Sequence, residues 1–283
     1  MSLRRKVMQA LLPALHIAIA LIALPLSAQE THTYAERDTG DLLLDIHYPT
    51  AKSDAPHPVI FWTHGGGWRQ GSKANYKLVD WLLAEGYAIV SINYRLTDVA
   101  PYPAQWEDCH DALNWIIENG TEHRLDPTHI VTAGLSAGAH LASLTATKVS
   151  HVFPRIRGVI HFYGPADFVQ NAKYAKSPTD SMNTPAAPVY GLLGGPLREN
   201  LGLAKKASPV TYLSTEDPPF LIIVGTKDSL MTQRQCKRLH QAAQSVEVRS
   251  ILHEIEGAGH GGKEFNDPIR QKLILQFLNS IQP

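Results

Sequence analysis

The amino-acid sequence predicts an α/β domain, a mostly parallel sheet with helices on both faces. Apolar runs of strand length alternate with segments of helical period from Pro58 to Ile281, the pattern of parallel pairing through right-handed crossovers. Pro58–Thr63 is continuously apolar rather than alternating, and Ile156–Gly164 reads the same way, which marks strands covered on both faces. At 283 residues the chain lies within the range of one large domain and can bury a substantial core.

Residues 1–28 differ from the rest in composition. Arg4, Arg5 and Lys6 precede an apolar stretch from Ala10 to Leu26, and Leu26-Ser27-Ala28 offers small residues at a cleavage position before Gln29. This is the pattern of a secretory signal peptide, so a periplasmic or secreted location is expected. The apolar stretch is broken by Pro13 and Pro25 and is short for a membrane span, so no stable anchor is expected. The catalytic unit is then 29–283. Lys plus Arg and Asp plus Glu both number 26, and no basic block is interleaved with aromatics, so no nucleic-acid partner is expected. Cys109 and Cys236 stand apart from any Cys-x-x-Cys or Cys/His cluster, and the 14 histidines show no metal-ligand spacing. Export would permit a disulfide between the two cysteines, and sequence does not show whether they meet; two buried free thiols, no metal and no cofactor are the expectations.

In chain order, Thr33–Tyr48 alternates through Leu42, Leu44 and Ile46, as early antiparallel strands do. After the turn-rich 49–58, the Pro58–Thr63 strand ends in His64-Gly65-Gly66-Gly67-Trp68. Three successive glycines are costly to order, and at the end of a buried strand they let backbone N–H groups approach a substrate oxygen. His64 is expected to brace this loop and Trp68 to pack beside the site. Asn75–Glu85 carries a helical face through Leu78, Val79, Leu82 and Leu83, closed by Gly86. Tyr87–Tyr94 is the next strand, with Asn93-Tyr94-Arg95 expected to fix neighbouring loops. Pro103–Asn119 is helical, and its Asp108, His110 and Asp111 read as a solvated helix start rather than as a local triad. Asp126-Pro127 reads as a turn before the next strand.

That strand, Ile130–Gly134, climbs into Gly134-Leu135-Ser136-Ala137-Gly138 and is followed by a small-residue helix. Strand, sharp turn and helix place a serine hydroxyl above the sheet at a helix N-terminus, the geometry of a nucleophile. Residues 165–206, rich in Pro, Gly, Ser and Asn, read as an insert that forms a lid or a wall of the site. Pro219–Gly225 leads to Asp228, and a strand over Val246–Ile255 leads to His260 in a glycine-rich loop. Asp267-Pro268 caps a final helix over 269–281. A serine nucleophile needs a base within reach, and the base needs an acid to orient it. Ser136, Asp228 and His260 each follow a strand. His64, His140 and His253 lie elsewhere, Asp217 precedes its strand on the wrong edge, and Glu256 is the remaining acid nearby.

Together, His64-Gly-Gly-Gly-Trp68, Gly134-Leu-Ser-Ala-Gly-Ala-His140, Gly225-Thr-Lys-Asp228 and Gly259-His260-Gly261 resemble the α/β-hydrolase superfamily. Within it the chain is similar to the hormone-sensitive-lipase-like and bacterial feruloyl-esterase-like carboxylesterases. The resemblance implies an eight-stranded, mostly parallel sheet and ester hydrolysis through an acyl-enzyme. In that reading Ser136 attacks, His260 relays the proton, Asp228 orients His260, and the N–H groups of Gly66, Gly67 and Ala137 hold the oxyanion. The expected substrate is a small-molecule ester, short-acyl or hydroxycinnamoyl, with plant polysaccharide as one source. Leu135 and Ala139-His140 depart from the lipase-like motif toward feruloyl and acetyl esterases and arylformamidases, so formamide hydrolysis stands as the alternative. Oligomeric state is not legible.

Overall fold

The computed structural model describes residues 29–282 except 52, 54, 150–155 and 175–180, so the signal-peptide expectation for residues 1–28 lies outside the described residues. Eight strands form one sheet: β1 (Gln29–Ala35), β2 (Leu42–His47), β3 (His57–Thr63), β4 (Ala88–Ile92), β5 (Leu125–Leu135), β6 (Ile156–Phe162), β7 (Phe220–Gly225) and β8 (Ser250–Ile255). Their spatial order is β1-β2-β4-β3-β5-β6-β7-β8. The pairs β1/β2 and β2/β4 are antiparallel and all others parallel. The mostly parallel eight-stranded sheet expected from the sequence is therefore present.

The helices are α1 (Ala104–Asn119), α2 (Ala137–Val149), α3 (Phe168–Tyr174), α4 (Pro188–Leu193), α5 (Leu201–Lys206), α6 (Leu230–Ser245) and α7 (Pro268–Asn279). Val59–Trp62 of β3 and Phe220–Val224 of β7 are wholly buried, as the continuous apolar runs require. Between β3 and β5 the chain leaves for β4 and returns across β3, so the order reverses at β3. Ligand sites of parallel sheets form at the carboxyl edge of such a reversal. The register pairs Thr63 with Gly134, which brings the glycine loop after β3 level with the serine after β5.

Several elements depart from the sequence expectation. Helical period over 75–85 yields only a 3-10 turn, Asp80–Leu83. The Asn75 carbonyl is taken by the Trp62 indole at 2.8 Å, and the segment closes through i to i+3 bonds such as Val79 to Tyr76. Asp126-Pro127 belongs to β5, whose first residue pairs with His57. The last strand starts at Ser250 rather than Val246, because 246–248 complete the end of α6 with Glu247 at φ 62°. Helix α6 itself is hidden in the sequence by a thin apolar stripe, Cys236, Leu239 and Ala243, and by a buried Gln235. Ser229 caps it by accepting from the Thr232 amide at 3.1 Å. The expected cap of the last helix is present: Asp267 Oδ1 accepts from the Arg270 amide at 2.9 Å.

Asp108 is the clearest correction. It is fully buried, not solvated. It accepts from the Arg95 amide at 2.8 Å, from Arg95 Nε at 2.9 Å and from Arg37 Nη2 at 3.2 Å, so the start of α1 is tied to the end of β4. Asn93-Tyr94-Arg95 does fix neighbouring loops: Asn93 Oδ1 accepts from the Lys73 amide and the Tyr94 hydroxyl donates to the His64 carbonyl at 2.9 Å. Cys109 and Cys236 are free and fully buried. Burial raises both thiols above their ordinary range.

Candidate active site

Ser136 sits at the apex between β5 and α2 with φ 53°, a left-handed conformation that costs a non-glycine residue about 1–3 kcal/mol. The turn tolerates it because its neighbours lack side chains. A Cβ on Gly138 would stand 2.0 Å from the Thr63 carbonyl oxygen, and one on Gly134 would stand 2.5 Å from the Gly138 backbone. The Ser136 amide donates to the Phe162 carbonyl at 2.8 Å, so it serves the sheet. The next amide, Ala137, opens α2, where first-turn N–H groups have no intrahelical acceptor.

The structure brings Ser136, His260 and Asp228 together from the ends of three strands. His260 Nε2 lies 3.0 Å from Ser136 Oγ, and His260 Nδ1 lies 2.7 Å from Asp228 Oδ2. Both contacts are satisfied in one tautomer: Nδ1–H donates to the carboxylate, and Nε2 accepts from the serine hydroxyl. Asp228 is buried, and its other oxygen accepts from the Ser229 amide at 2.6 Å. Gln233 Nε2 donates to the Asp228 carbonyl at 2.7 Å and holds the loop. The His260 side chain is 47 % exposed, so a substrate can reach it. The Tyr163 ring stands edge-on to His260 with centroids 4.7 Å apart. Burial and the nearby Asp228 charge keep the Tyr163 phenol well above its ordinary range, hence neutral.

The glycine loop packs directly on the serine turn. A Cβ on Gly65 would stand 2.3 Å from Leu135 Cδ1 and 3.4 Å from Ser136 Cβ. Gly66 and Gly67 have φ of 110° and 61°, a region open to glycine. Gly67 borders the cavity above Ser136 together with Ala137, whereas Gly66 lies one residue back, its carbonyl accepting from the Arg69 amide at 3.1 Å. His64 braces the loop: Nδ1 meets the Gly65 carbonyl at 2.7 Å and the ring stacks on Tyr94. Burial pushes His64 down to about 4, so it is neutral at ordinary pH. Neither His140 nor His253 reaches the serine through a hydrogen bond; His140 is buried with Nε2 on the Ala207 carbonyl. Asp217 closes a turn by accepting from the Ser214 amide, before β7.

Beside Ser136 and His260 is a cavity of about 160 Å³. Trp68 lines it, as expected, along with Tyr163, Asn171, Pro188, Met231 and Gln235, which sequence reasoning did not single out. Tyr163 follows β6 on the same rim and was findable on that ground; the others come from the insert or from the unrecognised α6. Gln235 fixes one wall, its Oε1 accepting from the Ala166 and Asp167 amides and its Nε2 donating to Asn171 at 2.6 Å. The insert forms another wall. Pro188 lies over Gly67, and Arg69 donates to the carbonyls of Pro185, Ala186 and Ala187.

The chain as a whole is similar to known proteins. A family model described as BD-FAE matches residues 44–243. Esterase LipQ of Mycobacterium tuberculosis strain H37Rv is 25 % identical over 248 residues, covering 83 % of this chain and 57 % of its own. The chain spans about half the length of the curated relatives it matches. Among solved structures, a truncated carbohydrate esterase from gut microbiota superposes with a TM-score of 0.78 at 24 % identity, over 90 % of this chain and 96 % of that one. The butyrate-bound Est2 esterase of Thermogutta terrifontis gives a TM-score of 0.71 at 25 % identity, over 92 % and 95 %. The fold is the α/β-hydrolase fold.

Proposed function

The chain belongs to the BD-FAE family, and from that premise we propose that it is a serine carboxylesterase for short-acyl esters, working through an acyl-enzyme on Ser136. The observation that carries the reading is the Asp228–His260–Ser136 relay, with contacts of 2.7 and 3.0 Å, beside a small cavity lined by Ser136 and His260. Ser136 Oγ attacks the ester carbonyl carbon while His260 Nε2 takes its proton. Asp228 holds the imidazole in the required tautomer and stabilises the imidazolium that forms. The Ala137 and Gly67 amides, with Gly66 beside them, receive the charge that develops on the carbonyl oxygen. His260 then protonates the departing alkoxide. Water, deprotonated by the same nitrogen, attacks the acyl carbon and releases the acid, restoring the serine hydroxyl.

Cavity size supports the acyl preference. About 160 Å³ is roughly half of the ~300 Å³ at which pockets for drug-sized ligands begin, which suits acetyl to butyryl groups better than hydroxycinnamoyl. A structurally similar esterase holds butyrate. For the alcohol half, a sugar hydroxyl of plant-polysaccharide origin is the companion reading. The basic head and apolar run of residues 1–28 support export as part of this reading, and cell fractionation tests it.

The test is a chain-length series of p-nitrophenyl esters, with a feruloyl ester and N-formylkynurenine alongside, on the wild type and Ser136→Ala. Expected are kcat/KM values highest at acetate to butyrate, falling for longer chains and for feruloyl, and lost in the variant. Faster turnover of N-formylkynurenine than of acetate would replace the reading with formamide hydrolysis.

A further inference from the structure

We propose that Glu30, His32 and His123 form a binding site for a divalent transition-metal ion of the Zn(II) class, separate from the esterase centre. Glu30 and His32 stand two apart on β1, so both side chains leave the same face of this edge strand. His123 arrives from the turn between α1 and β5, 93 positions away from Glu30, which is why no spacing in the sequence betrays the set. His32 Nε2 lies 3.2 Å from Glu30 Oε2, and His123 Nδ1 lies 3.0 Å from the same oxygen. All three donor atoms fall within 4.8 Å of one another.

Ligand atoms held by one tetrahedral zinc at about 2.0–2.1 Å stand roughly 3.3 Å apart. Two of the three separations already match, and the third, between the two imidazoles, lies within 4.8 Å and shortens when an ion is bound. Two imidazoles and a carboxylate, with a position left for water, are a donor set suited to zinc and to its copper and nickel neighbours. The surroundings hold the donors in place. The Trp115 indole stacks on His123 with centroids 5.2 Å apart and lies 5.0 Å from His32. The Tyr48 hydroxyl donates to Glu30 Oε2 at 2.9 Å, orienting the carboxylate as hydrogen-bond partners of metal ligands do. As a purely hydrogen-bonded cluster, that single oxygen would have to accept from Tyr48, His32 and His123 together. With an ion, the two ring nitrogens present lone pairs instead, and the crowding is relieved.

An ion can enter. The side chains of Glu30, His32 and His123 are 47, 27 and 23 % exposed, and a cavity of about 300 Å³ opens beside Glu30 and His123. The site stands remote from catalysis, because His123 precedes β5 and Ser136 follows it, at opposite ends of an 11-residue strand roughly 35 Å long. Its role is a tie: the ion joins edge strand β1 to the α1–β5 turn and stabilises the fold by mass action.

The experiment is calorimetric titration of the untagged full chain with ZnCl2 near neutral pH, repeated on His32→Ala and His123→Ala. One saturable site is expected, weakened in each variant by at least the about 10–100-fold that losing a mere hydrogen-bond partner of a ligand costs. Cu(II) should quench Trp115 emission in the wild type, and the quenched component should be absent in Trp115→Phe. At the same zinc concentration, the melting temperature of the wild type should rise more than that of His32→Ala. Esterase turnover, the same in all variants with or without chelator, serves as the control for folding. No saturable zinc binding by the folded wild type, or binding equally tight in both histidine variants, overturns the proposal.

Discussion

Gly138→Ala tests the idea that catalysis depends on how closely the serine turn and the glycine loop approach each other. A Cβ at Gly138 would lie 2.0 Å from the Thr63 carbonyl oxygen, 2.4 Å from the His64 oxygen and 2.6 Å from the Thr63 carbonyl carbon. Real contacts of that kind do not fall below 3.0 Å, so the two backbones must part by about 1 Å. The segment that moves leads straight into Gly65–Gly67, and a misplacement of about 1 Å at reacting groups costs on the order of a hundred-fold in rate. Overpacking of a filled interior costs about 1–3 kcal/mol. At about 2–4 °C per kcal/mol for a domain of this size, the melting temperature should drop by roughly 2–12 °C. The assay is kcat/KM on p-nitrophenyl acetate at a temperature where the variant is folded, with a thermal melt on the same sample. Gly202→Ala in α5 is the matched control, because its Cβ meets nothing within 4 Å and alanine is the better helix former by about 1 kcal/mol. Wild-type kcat/KM in folded Gly138→Ala, or equal losses in both variants, would show that the close approach of turn and loop does not set the rate.

Three further outcomes are expected. Asp108→Asn removes the buried carboxylate that holds Arg95 and Arg37 and should cost about 3–5 kcal/mol in urea unfolding, with kcat of the folded fraction preserved. Arg69→Ala frees the 185–187 segment and with it Pro188 above Gly67; the octanoate-to-acetate ratio of kcat/KM should rise while the melting temperature changes little. His64, His140 and His161, the last buried in β6, are pushed down by burial from 6.5 to about 4. Each is neutral when folded and takes up a proton when unfolded between those values, so stability is full above pH ~6.5 and declines as pH falls toward ~4, by on the order of 3 kcal/mol per histidine. Denaturant midpoints that stay flat across that window would contradict this.

The fold and the juxtaposition of Ser136, Asp228 and His260 were legible because they rest on local rules. Continuous apolar runs mark covered strands, and a strand must end in Gly-x-Ser-x-Gly for Ser136 to clear the sheet, so one dimension of sequence sufficed. Asp228 and His260 could be assigned because each follows a strand, and parallel strands share one rim. What escaped depends on pairings between distant residues. Asp108 looks like an exposed helix-start acid until Arg95 and Arg37 arrive from the loop after β4 and the β1–β2 connection. Helix α6 looks polar because its buried face uses Cys236, Ala243 and Gln235, and with it Met231 and Gln235 of the pocket wall were missed. The 75–85 segment has the right period, but Trp62 takes the carbonyl a helix would need.

In the proposed mechanism Ser136, activated by His260, is the nucleophile. Reaction with a fluorophosphonate followed by intact-mass and peptide mapping addresses it directly. One adduct per chain on the peptide carrying Ser136, formed in step with loss of p-nitrophenyl acetate turnover and strongly slowed in His260→Ala, is the predicted result. An adduct on another residue, or full turnover by chains labelled at Ser136, would rule Ser136 out as the nucleophile.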